Sequence, residues 1–378
     1  MIYFDNAATT KMYPECVYEM QKWAEYDYFN PSALYKPSVE VKKAIDGARK
    51  TLLKYLKGST SGRLIFTSSG TEADNLALFG SKKWNGAGIV VGDGEHDAVR
   101  AAALELKSKG YNVKFSPINR DGSVNMEKLE QLLDENVAFV SIMHVSNETG
   151  AVNDIASISK LVRKKSPRAL FHSDGVQAFG KVSVNLAAWD VDLYSISAHK
   201  LHGPKGIGAL YLKNGVNLKP LIFGGGQEDG LRSSTENTPA IMAFEIAADK
   251  YFENIEDNNN KKRVIFERLS NLILRYAPDT VIISPENGAP HILTVAFKDV
   301  RGETLLHALE EYQIYVGIGS ACSSKRESRF KQLLGLDESH KEGIVRFSFS
   351  EFNEISDADT AAEKIKECFE KLSKYKRR

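Results

Sequence analysis

At 378 residues, 42% hydrophobic and 26% charged, the chain has an ordinary globular composition, long enough for two domains or for one large domain with an appendage. A net charge of +1 excludes a whole-protein electrostatic bias toward nucleic acid or anionic membrane, and no window reaches the roughly 18 apolar residues of a bilayer span. Three cysteines far apart in sequence, Cys16, Cys322 and Cys368, exclude a disulfide framework and a zinc spacing and suit a reducing cytoplasm.

The first residues, MIYFDNAATT, carry an acid where an export signal would be basic, so no export segment is expected. Residues 13–28 and 38–57 read as helices. In the second, Val41, Ala44, Ile45, Ala48, Leu52, Tyr55 and Leu56 share one face. The stretch between them, Phe29 to Tyr35, is non-periodic and rich in turn residues. Seven strands are then expected, at 63–67, 88–91, 112–115, 138–143, 169–172, 192–196 and 207–212. Helical patterns at 72–84, 96–109, 126–133 and 155–164 separate most of them. Strands apolar on both faces and joined through helices predict an α/β fold with a largely parallel sheet covered on both sides. Ligands of such sheets sit beyond the carboxyl ends of the strands.

After Pro239 a long helix runs to about Asn258, with a kink or break expected in the run Asn258-Asn259-Asn260, followed by a helix at 261–276. The remainder alternates again: strands at 281–284, 292–297, 314–317 and 344–348, helices at 303–312 and 357–375, and a loop carrying Cys322. That suffices for a smaller α/β domain. The basic end, Lys371 to Arg378, reads as a solvated helix terminus.

Four strand ends carry chemistry. The run Ser195 to Leu212, SISAHKLHGPKGIGALYL, places Lys200 after a strand and before a tight turn, beside a hydroxyl and an imidazole. Two readings fit it: a Schiff-base lysine for pyridoxal phosphate, or a solvated lysine in a hairpin. Ser69-Gly70-Thr71-Glu72 opens a helix; its small residues and free amides suit a phosphate, and a plain N-cap suits it too. His96 opens the next helix, where an imidazole either stacks on a flat ring or simply occupies a first turn. Asp174 follows a strand and either keeps a pyridine nitrogen protonated or caps a helix; Gln177 lies one turn on. Thr71, His96, Asp174 and Lys200 all fall at the same end of one sheet, which favours the joint reading. No Gly-x-Gly-x-x-Gly follows the first strand, so a nicotinamide cofactor is disfavoured.

These residues, with Tyr3 to Thr10, Asn30-Pro31-Ser32, Phe66 to Asn75, Ser146 to Gly150, Gly224 to Asn237, Gly319 to Ser324 and Val345 to Ser348, make the chain resemble the cysteine desulfurases. These lie within the class V aminotransferase family of fold type I pyridoxal phosphate enzymes, and the resemblance spans nearly the whole length. It implies a large domain, 13–250, with a mostly parallel seven-stranded sheet, and a smaller domain, 1–12 with 251–378, carrying the loop of a nucleophilic cysteine. It implies that Lys200 is the cofactor lysine, that Asp174 pairs with the ring nitrogen and Gln177 with the ring oxygen, and that His96 stacks on the ring. Gly70, Thr71, Ser197 and His199 hold the phosphate, which Thr235 reaches in the neighbouring subunit of a homodimer with shared sites. Asn147 and Arg346 hold the substrate carboxylate, and Cys322 is the nucleophile.

The implied reaction removes sulfur from L-cysteine, leaving L-alanine and a persulfide on Cys322 for an acceptor protein such as an iron–sulfur scaffold or a tRNA-thiolation enzyme. Lys200, His96 and Cys322 are the implied catalytic residues; no metal, nucleic acid or membrane is involved. The nearest alternatives are a selenocysteine lyase and an aminotransferase. Two segments depart from the family pattern: Lys325 to Phe330 lacks its proline after the cysteine loop, and Phe349-Ser350-Glu351-Phe352 stands where a Gly-Arg pair is common.

Overall fold

The computed structural model describes residues 1–318 and 333–372. The chain enters through β1 (Ile2–Phe4), then forms α1 (Pro14–Glu25) and α2 (Lys36–Tyr55). Proline at the start of each helix suits positions whose N–H has no intrahelical acceptor. A seven-stranded sheet follows, built from β2 (Arg63–Thr67), β3 (Gly88–Gly92), β4 (Asn112–Ser116), β5 (Val137–Ser141), β6 (Leu170–Asp174), β7 (Leu193–Ser197) and β8 (Gly208–Leu212). Its spatial order is β2-β8-β7-β6-β5-β3-β4. All seven lie within two residues of the expected spans. Only β8 runs against its neighbours, because it returns directly from β7 through the short Lys200 turn rather than through a crossover helix.

Apart from the edge strand β4, the strands are buried on both faces, and alternation assigns each residue to a side. Leu64, Phe66, Ala209 and Tyr211 join one apolar cluster, whereas Ile65, Leu210 and Leu212 join the cluster on the other side. Each fully buried Leu, Ile or Phe contributes about 1.5–3 kcal/mol. The interleaved helices α3 (Gly70–Gly80), α4 (Asp97–Ser108), α5 (Met126–Leu132) and α6 (Ile155–Lys165) supply the covering faces. Since β2, β3, β5, β6 and β7 all run the same way, their carboxyl ends share one edge.

After a short helix α7 (Leu186–Trp189), two long helices, α8 (Thr238–Glu253) and α9 (Ile255–Tyr276), lead to the C-terminal part. The break between them falls at Asn254, not in the run 258–260. Asn254 leaves helical geometry (φ −123°, ψ 31°), yet its carbonyl accepts from Asn258 N–H, so α9 starts there. The weak helix propensity of three asparagines, a few tenths of a kcal/mol each, is overridden by the packing of Ile265, Phe266 and Leu269 further along.

Beyond α9, β9 (Val281–Ile282), β10 (Ile292–Ala296) and β12 (Ile344–Ser348) form an antiparallel sheet, with α10 (Gly302–Glu310) between β10 and β11 (Ile314–Val316). β1 pairs in parallel with β11, and Phe4 enters the apolar cluster of this C-terminal part beside Phe347 and Phe349. The first residues therefore belong with the last ones. Among the described residues, no helix is long and apolar enough to cross a membrane.

Candidate active site

One cavity of about 330 Å³ opens at the shared strand edge. Its lining includes Gly70, Thr71, His96, Asn147, Asp174, Gln177, Ser197, His199, Lys200 and Arg346, ten of the twelve residues singled out from sequence. Thr235 lines a separate pocket of about 230 Å³ with Thr67, Ser68 and Arg232, and is exposed. Cys322 lies outside the described residues.

One end of the cavity is built from the start of α3. Ser69 caps the helix, its Oγ accepting from Glu72 N–H at 3.1 Å, while Glu72 is held by Ser68 N–H and Arg232. Gly70 and Thr71 open the first turn, where amides have no internal acceptor and the helix dipole favours negative charge. Two glycines make room. A Cβ on Gly70 would come within 2.7 Å of Val176 Cγ2, and one on Gly208 within 2.5 Å of the Ser69 backbone. Gly208→Ala therefore forces β8 away from the start of α3. We expect it to cost about 1–3 kcal/mol in thermal or urea unfolding and to weaken anion binding; unchanged stability would show that the two backbones are not in contact.

His96 lines the cavity. It is the N-cap of α4, its Nδ1 accepting from Ala98 N–H at 3.1 Å, and that bond fixes the ring at the cavity wall. Asp174 ends β6 and is buried; its Oδ1 accepts from Val176 N–H at 2.9 Å. Two further buried carboxyls, Asp74 and Glu95, stand near it. Burial pushes all three upward. Asp74 and Glu95 rise well above the usual carboxylate range, reinforced by the charge on Asp174. Asp174 rises less, because His96 and Lys200 draw it back. Asp74 and Asp174 both line the cavity, and of the two Asp174 is the one that the His96 and Lys200 charges favour as a carboxylate.

Asp74 escaped the sequence reading although it lies four residues after Gly70, one helical turn along the same face. That spacing was the available signal. Its neighbour His172 lies within 3.5 Å, with its own Nδ1 and Nε2 on Ser141 and Ser195; burial lowers its pKa to about 3, so it is neutral.

Lys200 stands in the single 3₁₀ turn after β7. Its Nζ donates to the carbonyls of Ala7 and Ala8 at 2.6 and 2.7 Å, and Gln177 Nε2 also donates to Ala7 O at 2.8 Å. The N-terminal segment is thus a wall of the cavity, a role absent from the sequence reading. Burial, then the nearby Arg346 charge, lower the Lys200 amine from 10.5 to about 8, against the pull of Asp174 and Asp5. His199 is lowered to about 4 by burial and by Lys200, Lys205 and Lys181, and its Nδ1 meets Thr9 Oγ1 at 3.2 Å.

At the opposite end Arg346, on β12, crosses to the large sheet. Its Nη1 donates to Asn147 O at 2.8 Å and its Nη2 to Asp5 Oδ1 at 3.0 Å, while its buried Nε has no hydrogen-bond partner. A buried donor left unpaired beside a cavity is an unmet demand for an acceptor. Gly317 permits the approach, since a Cβ there would lie 3.0 Å from Arg346 Nη2.

The aminotransferase class V family model matches residues 2–360. A NifS/IcsS protein homolog of Lactobacillus delbrueckii subsp. bulgaricus is 38% identical, covering 99% of this chain and 98% of its own. A cysteine desulfurase of Trichormus azollae is 35% identical over 98% of this chain and 94% of its own. A solved NifS-like protein, 34% identical, superposes with a TM-score of 0.91 over 98% of this chain and all of its own. On a family match spanning nearly every residue, and on relatives of this similarity along the full length, the chain belongs to the class V aminotransferases, among the NifS-like cysteine desulfurases.

Proposed function

We propose that this protein uses pyridoxal phosphate to take sulfur from L-cysteine, leaving L-alanine and a persulfide on Cys322. The observation that carries the reading is one cavity with an amine, a carboxylate, an imidazole and a helix N-terminus at one end and a guanidinium whose Nε has no partner at the other. The donor set fits the cofactor. Gly70, Thr71, Ser197 and His199 would hold its phosphate, with Thr235 of a second copy; Asp174 would pair with the ring nitrogen, Gln177 with the ring oxygen and His96 with the ring face, and Lys200 would be the amine that anchors it. When bound, the cofactor supplies an electron sink for the α-carbon of an amino acid.

The protein's own residues do the rest. Arg346, whose Nε is free to donate, and Asn147 hold the substrate carboxylate, a task suited to a guanidinium fork. That grip sets the α-proton toward Lys200, whose lowered amine removes it as a general base. The Cys322 thiolate attacks the substrate sulfur; an S–S bond forms as the carbon–sulfur bond breaks. A large unit of 13–250 and a smaller one of 1–12 with 251–378 are supported by the separate apolar cluster around Phe4 and Phe347. The dimer is supported by the position of Thr235, exposed and in a pocket other than its own chain's cavity. The persulfide then passes to a sulfur acceptor in the cytoplasm, an iron–sulfur scaffold or a tRNA-thiolation enzyme.

The test is stoichiometry. With L-cysteine, pyridoxal phosphate and a reductant, alanine and sulfide should form one for one. Pyruvate and ammonia in place of alanine, or no reaction, would overturn the assignment.

A further inference from the structure

We propose that Glu351 is a positioning residue for Lys200, clamping the lysine turn through His202 and Tyr13. The inference rests on the reading of Lys200 as the cofactor lysine.

His202, two residues after Lys200, adopts a left-handed backbone (φ 61°). For a residue other than glycine that costs about 1–3 kcal/mol and persists only where the surroundings enforce it. Here they do so at every polar atom. The N–H donates to Thr10 Oγ1 at 2.8 Å, and the carbonyl accepts from Tyr13 N–H at 2.9 Å. The buried ring has Nδ1 2.7 Å from Lys11 O and Nε2 3.0 Å from Glu351 Oε2. The other Glu351 oxygen accepts from the Tyr13 hydroxyl. Lys181 Nζ, also buried, donates to the Lys200 carbonyl. Burial alone would raise the Glu351 carboxyl, but the His202 ring, the charge of Lys262 and the Tyr13 hydroxyl bring it down to about 2, so it is a carboxylate at neutral pH.

Glu351 sits three residues beyond the end of β12, which carries Arg346. Lys261 Nζ donates to its carbonyl at 3.0 Å, tying the segment to α9. One short stretch of chain thus holds the guanidinium at one end of the cavity and the lysine turn at the other. That gives a purpose to the departure noted at Phe349-Ser350-Glu351-Phe352: the carboxylate occurs where it meets His202.

The test compares wild type, Glu351→Gln and Tyr13→Phe as full-length protein, by amide exchange and by kinetics. Glu351→Gln should speed exchange in residues 198–203 about tenfold while β7, residues 193–197, keeps its protection. It should lower kcat by about 10- to 100-fold with KM for cysteine unchanged, because misplacement of the amine spares the Arg346 grip. Tyr13→Phe, which removes one hydroxyl and leaves the carboxylate, should move both readouts the same way by less. Unchanged exchange at 198–203 in folded Glu351→Gln, or an equal rise across β7, overturns the clamp. If wild type makes no alanine, the assigned activity falls, and the exchange comparison still decides the clamp.

Discussion

Lys200→Ala should abolish covalent capture of pyridoxal phosphate and cut alanine formation from cysteine by about a thousandfold or more, since a nucleophile and a general base are lost together. The environment prepares this amine in two ways. Its Nζ is aimed by the carbonyls of Ala7 and Ala8, so it is ordered before any ligand arrives. Its pKa is brought from 10.5 to about 8, chiefly by burial. At pH 7.5 an amine with a pKa of about 8 is about one quarter neutral, against about one thousandth for an unperturbed lysine. The sign follows: the neutral form reacts, so capture by wild type should rise from pH 6 to about 9, half-maximal near pH 8, and level off above. Borohydride reduction followed by peptide mass analysis reads both effects. An adduct on another lysine in Lys200→Ala, or capture still climbing beyond pH 10 in wild type, would sink the assignment.

Cys322→Ala should stop persulfide formation and reduce sulfide release by a factor on the order of a thousand or more. Neither remaining cysteine is placed to compensate. Cys16 is buried between α1 and α8, its Sγ donating to Ala243 O at 3.3 Å, and burial raises its thiol to about 12. Cys368 is buried in the last helix, and burial raises its thiol as well. The nucleophile must be a thiolate, so both are inert near neutral pH. The variant should still bind cysteine, because Arg346, Asn147 and Lys200 are untouched; the cofactor spectrum should respond to cysteine while no sulfur is added to the protein. Full sulfide release with reductant present would show that sulfur leaves without passing through Cys322.

Much of the site was legible because strand and helix periodicities are local. Asp174, Lys200, His96 and Thr71 declared themselves as polar residues that interrupt apolar strands or open helices, and the α/β alternation assigned them to one edge. Arg346 was legible only through its resemblance motif; nothing near it in sequence hints that a β12 residue meets Asn147, 199 positions away. The Asn254 break was misplaced because propensity is a weak prior beside packing. The carbonyls of Ala7 and Ala8 left no signal, since any residue type supplies a backbone carbonyl.

Composition and pattern alone thus established the α/β class, the strand spans and the strand-end residues, and the resemblance of the motifs pointed to the family. Folding added the relations between distant parts: that three carboxyls are buried close together, how far the Lys200 amine is lowered, and which wall its Nζ faces. It also brought Glu351 onto the lysine turn. The division has a physical cause. Side-chain periodicity is encoded within a few residues, whereas desolvation and Coulomb interaction depend on what lies within a few ångströms, and in this chain those neighbours are up to some 340 residues apart.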